Sequence, residues 1–507
     1  MDIDGDLSVV AVDEAVISSS VMAVSVAAAF GTFGGSLAIG VSLADNSIEG
    51  SVRALIDRAA VSVQGSIDLL ASDRPAIESW STAVAVAITG AIGVAFAGGG
   101  ANSYNTVTTL VEALIDRSGT SPIAGGIGMG WTSIWATDSV NVKALSDIDL
   151  YNEVFAAAAS FGLIAAAAAG TQTENTIGSI VTAQVSRTEL MTGTEGKVSI
   201  DARAEQGSWG EAHALAVSTG ASVGVSSVST SDLSIIRAGL GDDVSIEADE
   251  LRISGYARDD IGQLATASSG GLFVGVAGAD STIGIRGEAR ATVGSRNRIL
   301  ADTVSITSER EQFFDARSEN LAIGGVASGS GAAMSNVLAG TSEILVGQDS
   351  KIEATTVYIR AKNLAEKSGM SADRDSLDST SAGLGSISAL AINTSLGLTN
   401  NRFGSRVAIA PGVEITASAE TATGASLDIS TYTKARLIDK VRVDGYGGLA
   451  VNFGVVNQTA QMISGIDVLG AKLRNYSGDL MLATRTDADI SAAANVGSAG
   501  LIGGANA

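Results

Sequence analysis

A short motif recurs nine times along the chain, and this repetition constrains the fold more than any other feature. The motif is three residues long: two apolar residues separated by one variable residue. Successive copies start 46 to 79 positions apart. The copies begin at Leu7, Val61, Val140, Val198, Val244, Val304, Val357, Leu427 and Leu480. A unit of this size that repeats along a whole chain is typical of proteins in which each repeat is covered by its neighbours.

The residues around the motif alternate with the period of a β-strand. From Val244 to Asp249, Val, Ile and Ala alternate with Ser, Glu and Asp, which predicts a strand with one buried face and one wet face. Between Ala83 and Ile88 both alternating sets are apolar, so that strand should be covered on both sides. Gly-rich turns such as Gly34-Gly35 and Gly270-Gly271 separate strands of this second kind.

The composition indicates a thin core made of small residues. Apolar residues make up 46% of the chain but aromatic residues only 4%, and 61 of the 507 residues are Gly. Such a core suits backbones that stack closely. We therefore predict an all-β fold, a parallel β-solenoid built from stacked repeats of about 46 to 79 residues.

Two uncharged segments, from Val21 to Ala44 and from Trp80 to Gly100, are long enough to cross a bilayer as helices. Their mid-segment Gly residues and scattered Ser and Thr favour strands, so we predict no membrane span. The stretch from Phe155 to Gly170, with nine Ala, is the best candidate for a local helix.

No domain boundary is visible, so residues 1–507 are interpreted as a single continuous repeat array. Residues 118–138 and 363–380 break the repeat pattern and are predicted to be inserted loops, where a solenoid would carry binding sites. The absence of a polar cap repeat at either end favours a segment of a longer chain.

Little in the sequence suggests catalysis. The chain has no Cys and a single His, His213, so a zinc site or a Ser–His–Asp triad lacks the usual residues. Neighbouring acidic residues such as Asp259 and Asp260 should point to opposite faces of a strand. We predict that the protein is not an enzyme. A carbohydrate-active alternative would need carboxylates from adjacent repeats beside aromatic rings, among which the four Trp are candidates (Trp80, Trp131, Trp135 and Trp209).

The N-terminal segment contains a candidate calcium site. Asp2, Asp4 and Asp6 alternate around Gly5, although the rest of an EF-hand loop is missing. Calcium is thus the one cofactor that the sequence suggests. The formal net charge of −23 makes nucleic acid an unlikely kind of partner, because the phosphate backbone would be repelled.

The full cycle is seen in Val244 to Ala248, Gly270 to Asp280 and Ile283 to Val293. It resembles the repeats of large bacterial exoproteins, the filamentous haemagglutinin-like and leukotoxin-type adhesins. The resemblance implies a right-handed solenoid, an extracellular or cell-surface location, and a structural or adhesive role in a fibre. Expected partners are other copies or neighbouring repeats of the parent chain, and a cell surface or polysaccharide. A self-assembling filament or sheath subunit is the second alternative.

Overall fold

In the computed structural model the described residues form one parallel β-solenoid of 31 strands, which confirms the predicted fold class. The structure describes residues 1–507 except 31–32, 91, 117–131, 368–375, 398–401, 419–424, 477, 501 and 507. Every strand pairing between neighbouring coils is parallel and in register. Nine coils follow one another, preceded by the short strand β1 (Asp2–Ile3), which pairs with the end of the first coil.

Each coil consists of three parts that we name by their path. An outgoing strand runs to a tight turn, here called the tip; a return strand comes back against it; and a short closing strand leads into the next coil. In coil 4 these are β13 (Lys197–Ser218), the pair β14 (Ala221–Asp232) and β15 (Ile235–Leu240), and the first residues of β16 (Ser245–Gly271).

The remaining strands follow the same path. Coils 1 to 3 contain β2 (Leu7–Asp13), β3 (Val16–Ala29), β4 (Gly34–Asp57), β5 (Ala60–Val63), β6 (Ile67–Asp73), β7 (Ala76–Thr89), β8 (Gly93–Asp116), β9 (Thr132–Ala136), β10 (Ser139–Phe161), β11 (Ile164–Val185) and β12 (Thr188–Thr192). Coils 5 and 6 continue β16 and add β17 (Val274–Ile285), β18 (Glu288–Val293), β19 (Arg298–Gly324), β20 (Ala327–Leu338), β21 (Thr341–Val346) and β22 (Lys351–Ala354). Coils 7 to 9 contain β23 (Thr356–Lys367), β24 (Leu377–Leu396), β25 (Phe403–Ile409), β26 (Glu414–Ala417), β27 (Ala425–Ala460), β28 (Met462–Val468), β29 (Lys472–Asn475), β30 (Gly478–Ala499) and β31 (Ile502–Asn506).

The register corrects two of the nine motif positions. The residues that stack on one another are Leu7, Ile67, Val140, Val198, Leu251, Val304, Val357, Leu427 and Leu480, which are 53 to 73 residues apart. Val61 instead lies in the closing strand β5, and Val244 directly precedes the closing part of β16. Closing strands alternate in the same way as outgoing strands, so sequence pattern alone does not separate them.

The core changes character along each coil. Near the closing strand it consists of Val, Ile and Leu, as in Val198, Ile200, Ile236 and Leu240. Toward the tip it consists almost entirely of Ala, because the outgoing and return sheets lie close together there. A Cβ added to the inward-facing Gly275 would lie 2.2 Å from the carbonyl oxygen of Ile323 on the opposing strand.

The wide strands make this nine-coil segment broader than it is tall. At about 3.3 Å per residue the 22 residues of β13 have a contour length of about 70 Å. Nine coils about 4.8 Å apart give a stack only about 43 Å high. The segment is therefore a blade, and the row of tips runs along its shorter edge.

The structure also bears on the predicted helix and on the two predicted loop insertions. The Ala-rich stretch from Phe155 to Gly170 lies in strands β10 and β11, so the suggested helix is wrong. Of the predicted insertion 118–138, residues up to 131 lie outside the described residues, whereas Thr132–Ala136 is strand β9. Of the insertion 363–380, residues 368–375 lie outside the described residues, and the flanks belong to β23 and β24.

Candidate functional site

Next to the tips, part of the outer surface of the return strands carries no charged or polar side chain. Three adjacent register rows cross eight coils, and each position points away from the core. The rows are Leu37, Phe96, Ala166, Ala221, Val274, Ala327, Gly385 and Leu449; Ile39, Gly98, Ala168, Val223, Val276, Gly329, Ile387 and Val451; and Val41, Gly100, Gly170, Val225, Gly278, Gly331, Ala389 and Phe453. We call this surface the apolar face.

Large side chains on the apolar face are open to solvent. Val225 is 48% exposed, Ile387 59% and Leu37 64%. The face measures about 20 Å by about 38 Å, or roughly 750 Å², from the spacings of residues and strands in a sheet. The largest apolar patch of an ordinary monomer is about 300–600 Å². A patch of this size on a chain with a net charge of −23 exceeds that range, which makes it a candidate binding surface.

Glycines on the apolar face are not required by the fold. A Cβ added to Gly98 or Gly170 would meet no atom within 4 Å, and one added to Gly278 would make only an ordinary contact at 3.8 Å. This differs from the inward-facing Gly275, which has no room for a side chain. Glycine weakens a strand, so glycines with open space above them mark a place where another backbone can approach closely.

A second candidate is a group of side chains on the outgoing strands of coils 3 and 4. Glu153 and Glu211 are register partners, and His213 lies two residues beyond Glu211 on the same face. One ligand atom from each of the three lies within 4.8 Å of the others. Among the described residues this is the one group of three His, Cys, Asp or Glu with that geometry. We call it the Glu–His cluster.

Aromatic residues hold the Glu–His cluster in place. Trp209 Nε1 donates a hydrogen bond of 2.6 Å to Glu211 Oε1, and the Tyr151 hydroxyl donates one of 3.1 Å to Glu153 Oε2. The Trp209 ring lies directly over Gly262 of the next coil, where a Cβ would come within 2.0 Å of the ring. Trp80 completes the aromatic patch, with its ring centroid 6.1 Å from that of Tyr151.

The two carboxylates create a negative potential at this point. Burial, followed by the charges of Glu153 and Glu211, raises the pKa of the Tyr151 hydroxyl to about 12. The His213 ring lies between Thr266 Oγ1, 2.6 Å from Nδ1, and Glu211 Oε2, 3.1 Å from Nε2. From the sequence, a zinc site at His213 was set aside for want of ligands, because register across a 58-residue repeat is not visible in the sequence.

Two Asp residues of the N-terminal segment accept hydrogen bonds from residues at the end of coil 1. Asp6 Oδ1 accepts a 2.8 Å hydrogen bond from the Ser66 amide, and Asp4 Oδ1 accepts a 3.4 Å bond from Gln64 Nε2. Asp2 lies in β1. These contacts tie the segment to the end of coil 1, and calcium binding by Asp2, Asp4 and Asp6 stays a prediction.

Another groove, of about 710 Å³, lies nearer the start of the same outgoing strands, beside Lys143 and Arg203, and is lined by both signs of charge. Its charges pair with one another, as in Arg252 with Asp201 at 3.6 Å and Arg203 with Glu205. Such a lining is typical of a solvated face of a sheet, and it offers no convergent set of groups for chemistry.

Comparisons with protein-family models, with curated proteins and with solved structures gave no match. No helix among the described residues is long and apolar enough to cross a membrane. The apolar face and the Glu–His cluster are therefore the two features that bear on function.

Proposed function

We propose that this chain is a structural and adhesive segment of a secreted or surface-displayed bacterial fibre, and that the apolar face is its adhesive element. The observation that carries the proposal is the uncharged face of eight coils with glycines open to solvent. The repeat resemblance to haemagglutinin-like and leukotoxin-type adhesins supports the extracellular location.

The occupant that fits the apolar face best is the same face of a second copy. A stable interface buries about 800 Å² on each partner, which the roughly 750 Å² of this face approaches. Two flat sheet surfaces made of Ala, Gly and Val can approach closely and interdigitate, as in the tightly packed interfaces between paired sheets. Two such faces bring no like charges together, although each copy is strongly acidic overall.

Sedimentation velocity over about 1–100 µM tests this proposal. We expect the native chain to associate as its concentration rises, and Val225→Lys or Ile387→Lys to remain monomeric because a charge would be buried in the interface. Ser305→Lys, on the outer surface of the outgoing strands, is the matched control and should associate like the native chain. A native chain that stays monomeric, or lysine variants that associate normally through the open ends of the stack, would overturn it.

The carbohydrate-active alternative has one observation in its favour. Glu153 and Glu211 come from adjacent coils and lie beside Trp80, Tyr151 and Trp209. Paired carboxylates next to aromatic rings are the arrangement that glycoside hydrolysis requires. Incubation with a panel of polysaccharides tests this alternative. Release of reducing ends that Glu153→Gln abolishes would favour a carbohydrate-active enzyme. We expect no release.

A further inference from the structure

We propose that Glu153, Glu211 and His213 bind one divalent cation of the zinc class, which joins coils 3 and 4 on the outgoing face. The site is independent of the apolar face, which lies on the return strands. It rests on three features of the Glu–His cluster: its geometry, its uncompensated charge and its donor atoms.

The geometry requires only small rotations of the side chains. The three ligand atoms lie within 4.8 Å of one another, and ligands of a zinc ion stand about 2.0–2.2 Å from the metal. All three side chains project from the same surface of one sheet, and all are partly buried. Side-chain rotation alone can therefore close them around an ion, without movement of the strands.

The two carboxylates of the cluster stack on each other without a Lys or Arg between them. Several carboxylates elsewhere are paired with a base in the next coil, as in Lys197 with Glu250 at 2.8 Å and Asp243 with Arg296 at 2.6 Å. Glu153 instead stacks on Glu211. Among the described residues no Lys or Arg forms an ion pair with either, and His213 is the sole basic partner of Glu211. Two like charges one strand apart repel each other, and a bound cation would compensate both.

The donor atoms select the class of cation. An imidazole nitrogen suits zinc and related transition metals, whereas calcium and magnesium prefer oxygen ligands. The Thr266 hydroxyl at Nδ1 leaves Nε2 of His213 as the ligand. Trp209 and Tyr151 each occupy one oxygen of a carboxylate and so leave the other available, which is the role of the outer hydrogen bonds around metal ligands. Three protein ligands leave the remaining positions to water.

Isothermal titration of the metal-free full chain with ZnCl₂, in about 150 mM NaCl to screen loose binding, tests the proposal. We expect one saturable site, with affinity at least about tenfold lower in His213→Gln, Glu153→Gln and Glu211→Gln. Glu205→Gln, on the outer face of the same strand, is the control and should bind like the native chain. An equal concentration of CaCl₂ should not compete.

A second measurement locates the ion. Co²⁺ should quench the tryptophan fluorescence of the native chain, and the quenching should be largely lost in the double variant Trp80→Phe/Trp209→Phe but retained in Trp135→Phe. Absence of a saturable zinc site, or a site that His213→Gln leaves unchanged, would overturn the proposal. Circular dichroism of each variant checks that the stack is intact, so a weakened site is not confused with unfolding. Because the apolar face and this cluster point away from each other on opposite sides of the two packed sheets, Val225→Lys should bind zinc normally even if self-association fails.

Discussion

Arg310 Nη2 donates a 2.7 Å hydrogen bond to Asp232 Oδ2, although 78 residues separate the two along the chain. The same nitrogen lies 2.7 Å from Asp259 Oδ2, and all three side chains are fully buried. The three residues belong to coils 6, 4 and 5, so one guanidinium joins three successive coils. Two glycines, Gly287 and Gly340, leave room for it, because a Cβ on either would lie within 3 Å of Arg310 side-chain atoms.

Loss of Arg310 should be costly. In Arg310→Met two buried carboxylates lose their counter-ion, and we expect the free energy of unfolding to fall by about 3–5 kcal/mol. Urea denaturation followed by circular dichroism measures this. Arg252→Met removes a solvent-exposed partner of Asp201 and should cost less than about 1 kcal/mol. Equal losses in the two variants would show that the buried network does not hold the coils together.

The same network predicts a pH dependence. Burial raises the pKa of Asp259 well above its ordinary 3.8, an effect that Arg310 opposes and Asp232 reinforces. A raised folded-state pKa means that the folded chain holds this proton more tightly than the unfolded chain, so the associated stability is present at low pH and lost as pH rises through the folded pKa. Asp259→Asn mimics the protonated form.

We therefore expect the native chain to lose stability relative to Asp259→Asn as the pH is raised from about 4 to about 8. Urea titrations at intervals across that range measure the difference between the two chains. Asp260→Asn removes a carboxylate that faces solvent and controls for the change of net charge. A stability difference between native chain and Asp259→Asn that does not vary with pH would contradict the assignment.

Two glycines three residues apart should respond in opposite directions. Gly275→Ala places a methyl group 2.2 Å from the Ile323 carbonyl oxygen, so it should destabilise the chain by about 1–3 kcal/mol or more. Gly278→Val points into open space and should leave the melting temperature unchanged or raise it, because valine favours strands. Its effect should appear in self-association, which the larger side chain weakens. Thermal melts and sedimentation of the two variants separate these effects.

The period-2 pattern and the small-residue composition were sufficient to predict the fold class. The Ala-rich cores near the tips follow directly from that pattern. What failed was register. The motifs at Val61 and Val244 were assigned to the wrong strand, since closing and outgoing strands share one alternation and only the pairing of neighbouring coils distinguishes them.

The contacts of polar residues inside the stack could likewise not be predicted from the sequence. Asn46, Asn105 and Asn175 lie in one register row in the middle of strands β4, β8 and β11. Asn46 Nδ2 donates a 2.9 Å bond to Asn105 Oδ1 within the core. Similarly, the Glu–His cluster depends on residues 58 positions apart meeting in register. A single sequence with repeats of variable length does not fix such pairings.

Each coil lies one strand spacing above the last, whatever number of residues it contains. Because the chain has no Cys, two introduced cysteines can be spin-labelled without background. Ser8, Arg252, Ser305 and Met481 lie in one outward register row, in coils 1, 5, 6 and 9. Double electron–electron resonance from Ser8→Cys to each of the others should give backbone separations of about 19, 24 and 38 Å, in steps of about 4.8 Å per coil. Distances far from these 4.8 Å steps per coil, or broad distributions typical of independent domains, would contradict this stacking.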